Sequence, residues 1–295
     1  MHEVHVHFTG WDWAVIASYL ALTTLVGHIM RGRQSTIRDF FLGGRSLPWP
    51  AVCGSIIATE ISGVTFIGVP GTLFALQGNF TYLLWGIGSL IGRVLVAIYF
   101  VPVYYEREIY SPYDYIGARL GRAAKALATV LFTLGSVLAQ SVRVLVAAIP
   151  LQVVTGLPIG WCIVAIGAFA ITWTLMGGMR TVIWTDVMQF ALFTLGGLLA
   201  LLWIVSHLGG GWSEFWNTAA LYGRLEVWDA RLQADLAFTI WVAIIAVPFQ
   251  NLSVFGVDQL NAQRMFCCRN ARAASKALVF SSLGQILTLL MLLVG

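Results

Sequence analysis

Apolar residues in this chain run on for close to the length of a bilayer crossing instead of marking one face of a surface helix. A helix needs about 20 apolar residues to cross hydrocarbon. Eight stretches approach that length: 11–30, 48–77, 79–105, 126–150, 158–176, 182–207, 237–260 and 275–295. A membrane β-barrel would instead need strands of about 10 residues with alternating polarity, and runs such as ALFTLGGLLALLWIV do not alternate. The pattern predicts an all-α bundle of about eight transmembrane helices.

Composition strengthens this reading: 59% of residues are hydrophobic and 10% charged, against about 25% charged in soluble domains. The few charges also orient the bundle. Arg31, Arg33, Arg38 and Arg45 follow the first stretch. Arg107, Arg119, Arg122 and Lys125 follow the third, Arg180 the fifth, and Arg264, Arg269, Arg272 and Lys276 the seventh. The even-numbered connections hold only Arg224 and Arg231, set against Glu214, Glu226, Asp229 and Asp235. Basic connections therefore face the cytoplasm and the amino terminus faces outside. The net charge of +4 is spread over inner loops, so the expected partner is the lipid bilayer and not nucleic acid. The first stretch is full length and lacks a cleavage pattern, so it reads as a retained anchor. Cys53, Cys162, Cys267 and Cys268 offer neither a disulfide framework nor a paired metal motif. His2, His5 and His7 are read as a solvated terminus.

Against this background Glu60, Arg93, Arg143, Asp186 and Asp258 stand out, because ionisable groups at membrane depth cost about 2.5–3.5 kcal/mol each and face a partner or a cavity. Asp186 and Asp258 lie near inner helix ends, where capping or snorkelling also accounts for them. For Glu60, one reading is a structural pair with an arginine. Its neighbours suggest another. In ATEISGVTFIGVPG (58–71), Ser62-Gly63 and Pro70-Gly71 let the backbone leave helical geometry. Freed carbonyls at that depth are tolerated only beside protein or a wet cavity, and they are hard ligands suited to a small cation. GIGSLIG (86–92) has the wrong glycine spacing for a dinucleotide fingerprint and reads as small-residue helix packing. LMGGMRTVIWTDVMQ (175–189) reads as a tight Gly177-Gly178 inner turn between two helices. No catalytic motif is present, so no enzyme activity is expected.

Four stretches, DFFLGGRSLPWPAVCGSIIATEISGVTFIGVPG (39–71), YSPYDYIGARLG (110–121), LMGGMRTVIWTDVMQ and GVDQLNAQR (256–264), together resemble the sodium:solute symporter family. The resemblance implies a LeuT-type inverted-repeat fold, a multi-pass protein of the cell membrane (plasma or inner), and alternating-access import of a small organic solute coupled to Na+, with no other cofactor. It implies a sodium site built on the backbone carbonyls of Ala58 and Ile61, with Glu60 beside it and Asp186 on the ion's way to the cytoplasm. Ser62, Thr65, Arg143, Asn251 and Phe255, with Val254 nearby, fall near the substrate region.

In that scheme residues 1–47 carry the extra first helix and a basic loop, 48–207 form the first five-helix repeat, 208–236 an outer loop, and 237–295 the first two helices of a truncated second repeat. The chain closes on MLLVG with about three core helices of a carrier unaccounted for. The bundle is thus expected to be incomplete and, alone, a poor sodium binder. Arg143 suits a carboxylate, which points to an organic anion or zwitterion; a structural or vestibular role for it also stands. The alternative function is a solute-sensing membrane module of a signalling protein.

Overall fold

The computed structural model describes residues 9–32, 35–75, 78–233 and 235–295; the three amino-terminal histidines lie outside them. Most connections between helices are short, the one after Leu221 excepted, and an isolated parallel bridge pairs Leu47 with Cys268. In chain order the helices are α1 (Gly10–Met30), the short inner α2 (Ile37–Leu42), α3 (Trp49–Glu60), α4 (Gly63–Phe74), α5 (Leu84–Tyr99), α6 (Val101–Glu106), α7 (Pro112–Leu120), α8 (Arg122–Thr155), α9 (Ile159–His207) and α10 (Gly211–Leu221). They continue with α11 (Val247–Asn251), set between π-helical turns at Val242–Ala246 and Leu252–Val257, then α12 (Gln259–Phe266), α13 (Ala271–Phe280) and α14 (Gln285–Val294). Among the described residues five helical segments are long and apolar enough to cross a membrane, or seven when each of two bent pairs is taken as one span. The shorter apolar arm Ile159–Leu175 accounts for the remaining predicted stretch. This is a multi-pass membrane protein.

Local sequence sets where helices start and bend. Thr36 Oγ1 accepts from the Asp39 amide at 3.0 Å while the Asp39 carboxylate takes the Thr36 N–H at 3.0 Å, a reciprocal cap that starts α2. The Thr36 and then the Ser35 hydroxyl, both donating to Asp39, hold its carboxyl below the usual range. Ser111 and Asp114 do the same for α7, with Pro112 in the first turn. α9 is two arms joined at Gly177-Gly178, where the expected inner turn lies. Gly178 has φ +55° and ψ −151°, and a Cβ there would sit 2.3 Å from the Phe40 carbonyl oxygen. Only glycine fits.

α3 runs between α9 and α13, α1 lies along α9, and α5 packs on α11 and α13. The glycines of GIGSLIG make the α5 contact. A Cβ on Gly88 would meet the Ala243 carbonyl at 2.0 Å, and one on Gly92 would meet Asn251 Cβ at 2.5 Å. Small residues there let backbones touch, as in other membrane helix pairs.

Two spans are broken. α3 and α4 meet at 57° across Ile61 and Ser62, where the sequence placed a break. The Val242–Val257 segment meets α12 at 59°. The expected helix over 237–260 is thereby corrected: helical structure continues to Phe266, and Asp258 turns the corner. Its carboxylate accepts from the amides of Leu260 (2.8 Å) and Asn261 (3.3 Å), which starts α12 by an ordinary aspartate cap.

On the side that loop charge assigns to the exterior, Arg224 reaches from the 208–236 loop to the end of α4. Its Nη1 contacts the carbonyls of Leu73 (2.8 Å), Ala75 (2.6 Å) and Gly78 (2.8 Å), satisfying acceptors that a helix end leaves over.

Candidate solute and cation site

The α3/α4 break is backbone chemistry first. The Ile61 N–H closes on Ile57 O at 3.0 Å and ends α3. Ile61 then turns extended (φ −89°, ψ 107°), and the Ser62 N–H points to Thr65 Oγ1 at 3.5 Å. Helical bonding resumes only with Phe66 N–H to Ser62 O at 2.9 Å. The carbonyls of residues 58–61 thus lie in the four-residue zone that loses its amide donors at a helix end. The Thr65 hydroxyl recovers the Glu60 carbonyl at 3.3 Å. Ala58 and Ile61 are buried.

Glu60, the last residue of α3, faces Arg93 of α5. Arg93 Nη2 donates to both carboxylate oxygens at 2.7 and 2.6 Å. Its Nε donates to Ser89 Oγ at 3.2 Å, its Nη1 to Ser281 Oγ, and the Phe255 ring covers the guanidinium at 4.4 Å. Ser89 donates onward to Asn251 Oδ1 at 3.1 Å, and Asn251 Nδ2 to Val247 O at 2.8 Å. One cation therefore ties the first broken span to α5, to the second broken span and to the α13/α14 segment. Its donors are satisfied, as burial demands.

Beside this network lies a cavity of about 300 Å³. Of the residues singled out from sequence, Glu60, Ile61, Thr65, Asn251 and Phe255, with Val254, line it together. Ala58 and Ser62 lie at the break but not in the lining. Arg143 is not brought to the cavity either: it is exposed on α8, where Asp258 is a charge it interacts with. The lining also takes Ser89, Arg93, Gln250, Gln285 and Thr288, with the rings of Tyr82 and Trp85. Arg93 was visible in the sequence as a deep charge without a role. The four-residue spacing of Ser89 and Arg93 was the signal that could have placed it on the polar face of α5.

Asp186 belongs to a second network, toward the cytoplasm. It is buried; its Oδ2 accepts from Ser55 Oγ at 2.5 Å and from Arg264 Nη2 at 3.1 Å and Nε at 3.3 Å. Arg264 Nε also reaches Ser55 at 3.0 Å. This clasp joins α3, α9 and α12, so Asp186 is neither a simple helix cap nor a snorkelling end. Ser55 and Glu60 are five residues apart on α3, which separates the two networks by about 7.5 Å along its axis. Arg264→Ala is expected to cost about 3 kcal/mol, the low end for a broken buried pair, because both side chains keep 12% exposure. A melting curve in detergent checks it, and Asp186→Asn with Arg264→Gln should recover most of the loss. Among the described residues no cluster of three or more His, Cys, Asp or Glu side chains could hold a metal ion; the oxygens gathered at the break are the carbonyls of residues 58–61, the Thr65 hydroxyl and the Glu60 carboxylate.

The family model for the sodium:solute symporter family matches residues 40–295. The chain is 30% identical to the human sodium/iodide cotransporter over 287 residues, covering 95% of this chain and 44% of that protein. It is 30% identical to human sodium-coupled monocarboxylate transporter 1 over 280 residues, covering 94% of this chain and 45% of that one. The solved structure of a Na+-coupled sialic acid symporter, in a substrate-bound outward-open state, superposes with a TM-score of 0.86 at 27% identity, covering 97% of this chain and 60% of that chain. The chain thus spans under half the length of these curated relatives.

Proposed function

We propose, because this chain belongs to the sodium:solute symporter family, a family of transporters and not of enzymes, that the complete protein imports a small organic solute coupled to Na+ by alternating access. Its LeuT-type fold supplies the frame, and the observation that carries the reading is the unwound stretch at Ile61–Ser62 beside the Glu60-lined cavity. Sodium is assigned to the carbonyls of Ala58 and Ile61, with Glu60 near it and the Asp186 clasp on its path inward. The solute is assigned to the cavity with Thr65, Asn251 and Phe255, and Ser62 at its edge. Binding of the cation at the break would hold the two half-helices in the arrangement that receives solute, and rocking of the bundle would open the inner side.

Each Na+ supplies about 2.3 kcal/mol per 100 mV and about 1.4 kcal/mol for an assumed tenfold gradient. Together these permit on the order of 500-fold accumulation for one coupled ion. Both solute classes read from the sequence, the organic anion and the zwitterion, leaned on Arg143 as a carboxylate partner, and Arg143 does not line this cavity. The decisive experiment is uptake of a labelled solute panel by the complete protein in proteoliposomes under an inward Na+ gradient. Accumulation that is undiminished when potassium replaces sodium overturns the coupling.

A further inference from the structure

The second broken span allows more than one register. Pro248 has no N–H to give the carbonyl four residues back, and the helix widens on both sides of α11. The Val247 N–H closes on Val242 O, and the Asp258 N–H on Ser253 O at 2.9 Å, each five residues back instead of four. A π turn carries one residue more than an α turn, so moving it along the helix re-aims the side chains it passes by about 100°. Asn251 and Phe255 stand in that region, Asn251 closing α11 and Phe255 inside the second π turn.

What holds these two side chains in place comes from α5. Ser89 Oγ donates to Asn251 Oδ1 at 3.1 Å, and the Arg93 guanidinium lies 4.4 Å from the centre of the Phe255 ring. α5 packs on α11 and on both π turns, whereas α3 packs mainly on the α12 end of this span. The main packing between the two breaks therefore runs through α5, and Arg93 is the side chain that crosses it. Its Nη2 pairs with Glu60 at the end of α3 at 2.7 and 2.6 Å, its Nε holds Ser89 at 3.2 Å, and its Nη1 holds Ser281 between α13 and α14. With 1% of the Arg93 side chain exposed, a shift of Glu60 is passed to these partners and not absorbed by solvent.

Resting on the carrier reading above, we infer that Arg93 is the positioning residue that carries sodium occupancy at the first break into the second broken span. A cation on the carbonyls of residues 58–61 fixes the break and with it the Glu60 carboxylate. Glu60 fixes Arg93, and Arg93, through Ser89 and directly over Phe255, selects the register in which Asn251 and Phe255 face the cavity. Without the cation the chain of contacts loosens at its first link, and the π turns are free to move. An element with two registers, biased from a distant site, is what coupling between sites requires.

The test uses the complete protein and sodium alone, with no solute. Hydrogen–deuterium exchange is followed by mass spectrometry in NaCl and in KCl of equal concentration. In the parent, sodium should slow exchange of segments 61–66 and 242–258 by about tenfold each, the worth of one hydrogen bond. Ser89→Ala with Phe255→Leu cuts Arg93 from the second span and leaves its pair with Glu60 intact. In that variant sodium should still slow 61–66, and should change 242–258 by less than about twofold. Glu60→Gln with Arg93→Gln cuts the link at its other end and should give the same split, so if one variant fails to fold the other decides. A residue that merely stabilises the bundle would alter exchange equally in both salts and leave the sodium effect on 242–258 in place. That outcome, or a parent in which sodium slows 61–66 alone, overturns the inference and leaves the carrier reading standing. A parent in which sodium does not slow 61–66 overturns both.

Discussion

Arg93→Met should be among the most damaging single changes in this chain. It leaves Glu60 without Arg93, the one ion-pair partner it has among the described residues, and Ser89, Ser281 and the Phe255 ring without the guanidinium they contact. Removing one member of a buried pair costs about 3–5 kcal/mol because the other charge is stranded; Glu60 keeps 24% exposure, so the low end, about 3 kcal/mol, applies, still a large share of the roughly 5–15 kcal/mol that holds a domain together. The expected result is a steep fall in monodisperse protein and in melting temperature. Glu60→Gln combined with Arg93→Gln removes both charges together and should recover more than half of the loss. A double-mutant cycle by thermal melting separates the pair from its parts. An Arg93→Met protein that melts with the parent would show that the network does not hold the bundle.

Gly88→Val is the second large effect. The added carbon atoms have nowhere to go: the built Cβ alone falls 2.0 Å from the Ala243 carbonyl oxygen and 2.7 Å from Val247 Cβ. One neighbour is backbone, so the helices must separate, at or above the ~3 kcal/mol upper end of ordinary overpacking. Separation of α5 from α11 also pulls Ser89 away from Asn251, so solute binding should fail together with stability. Gly135→Ala on α8 is the matched control. Nothing lies within 4 Å of its new Cβ, and alanine is the better helix former, so it should melt at or slightly above the parent. Equal melting of the Gly88 and Gly135 variants would refute the close α5–α11 packing.

The sequence already showed most of the architecture, and the reasons are physical. Lipid allows few ways to satisfy a backbone, so apolar length alone located the spans. The first break was legible because its residues are the ones that leave helical geometry cheaply, Ser62-Gly63 followed by Pro70-Gly71. The second was not. Asp258 sits in VFGVDQ, where no proline or glycine pair marks the corner and the widened π turns leave no periodic trace. What a helix face meets was hidden. On α8 the polar positions Thr129, Thr133, Ser136, Gln140 and Arg143 recur at helical spacing and mark one face, but nothing in the sequence says which neighbour that face turns to. Arg93 posed the complementary problem. Its burial was foreseen, but its partner lies 33 positions away in the chain, on a different helix, and only packing could pair them.

The Arg224 contact has a consequence for how this protein can be watched and held. Because one guanidinium grips the last carbonyls of α4, the aqueous 208–236 segment is tied to the outer half of the broken span. A spin label or fluorophore on an exposed loop position such as Leu232 would therefore report displacement of that half-helix without touching the membrane interior. An antibody fragment that fixes the loop would act as a brake applied from outside the cell.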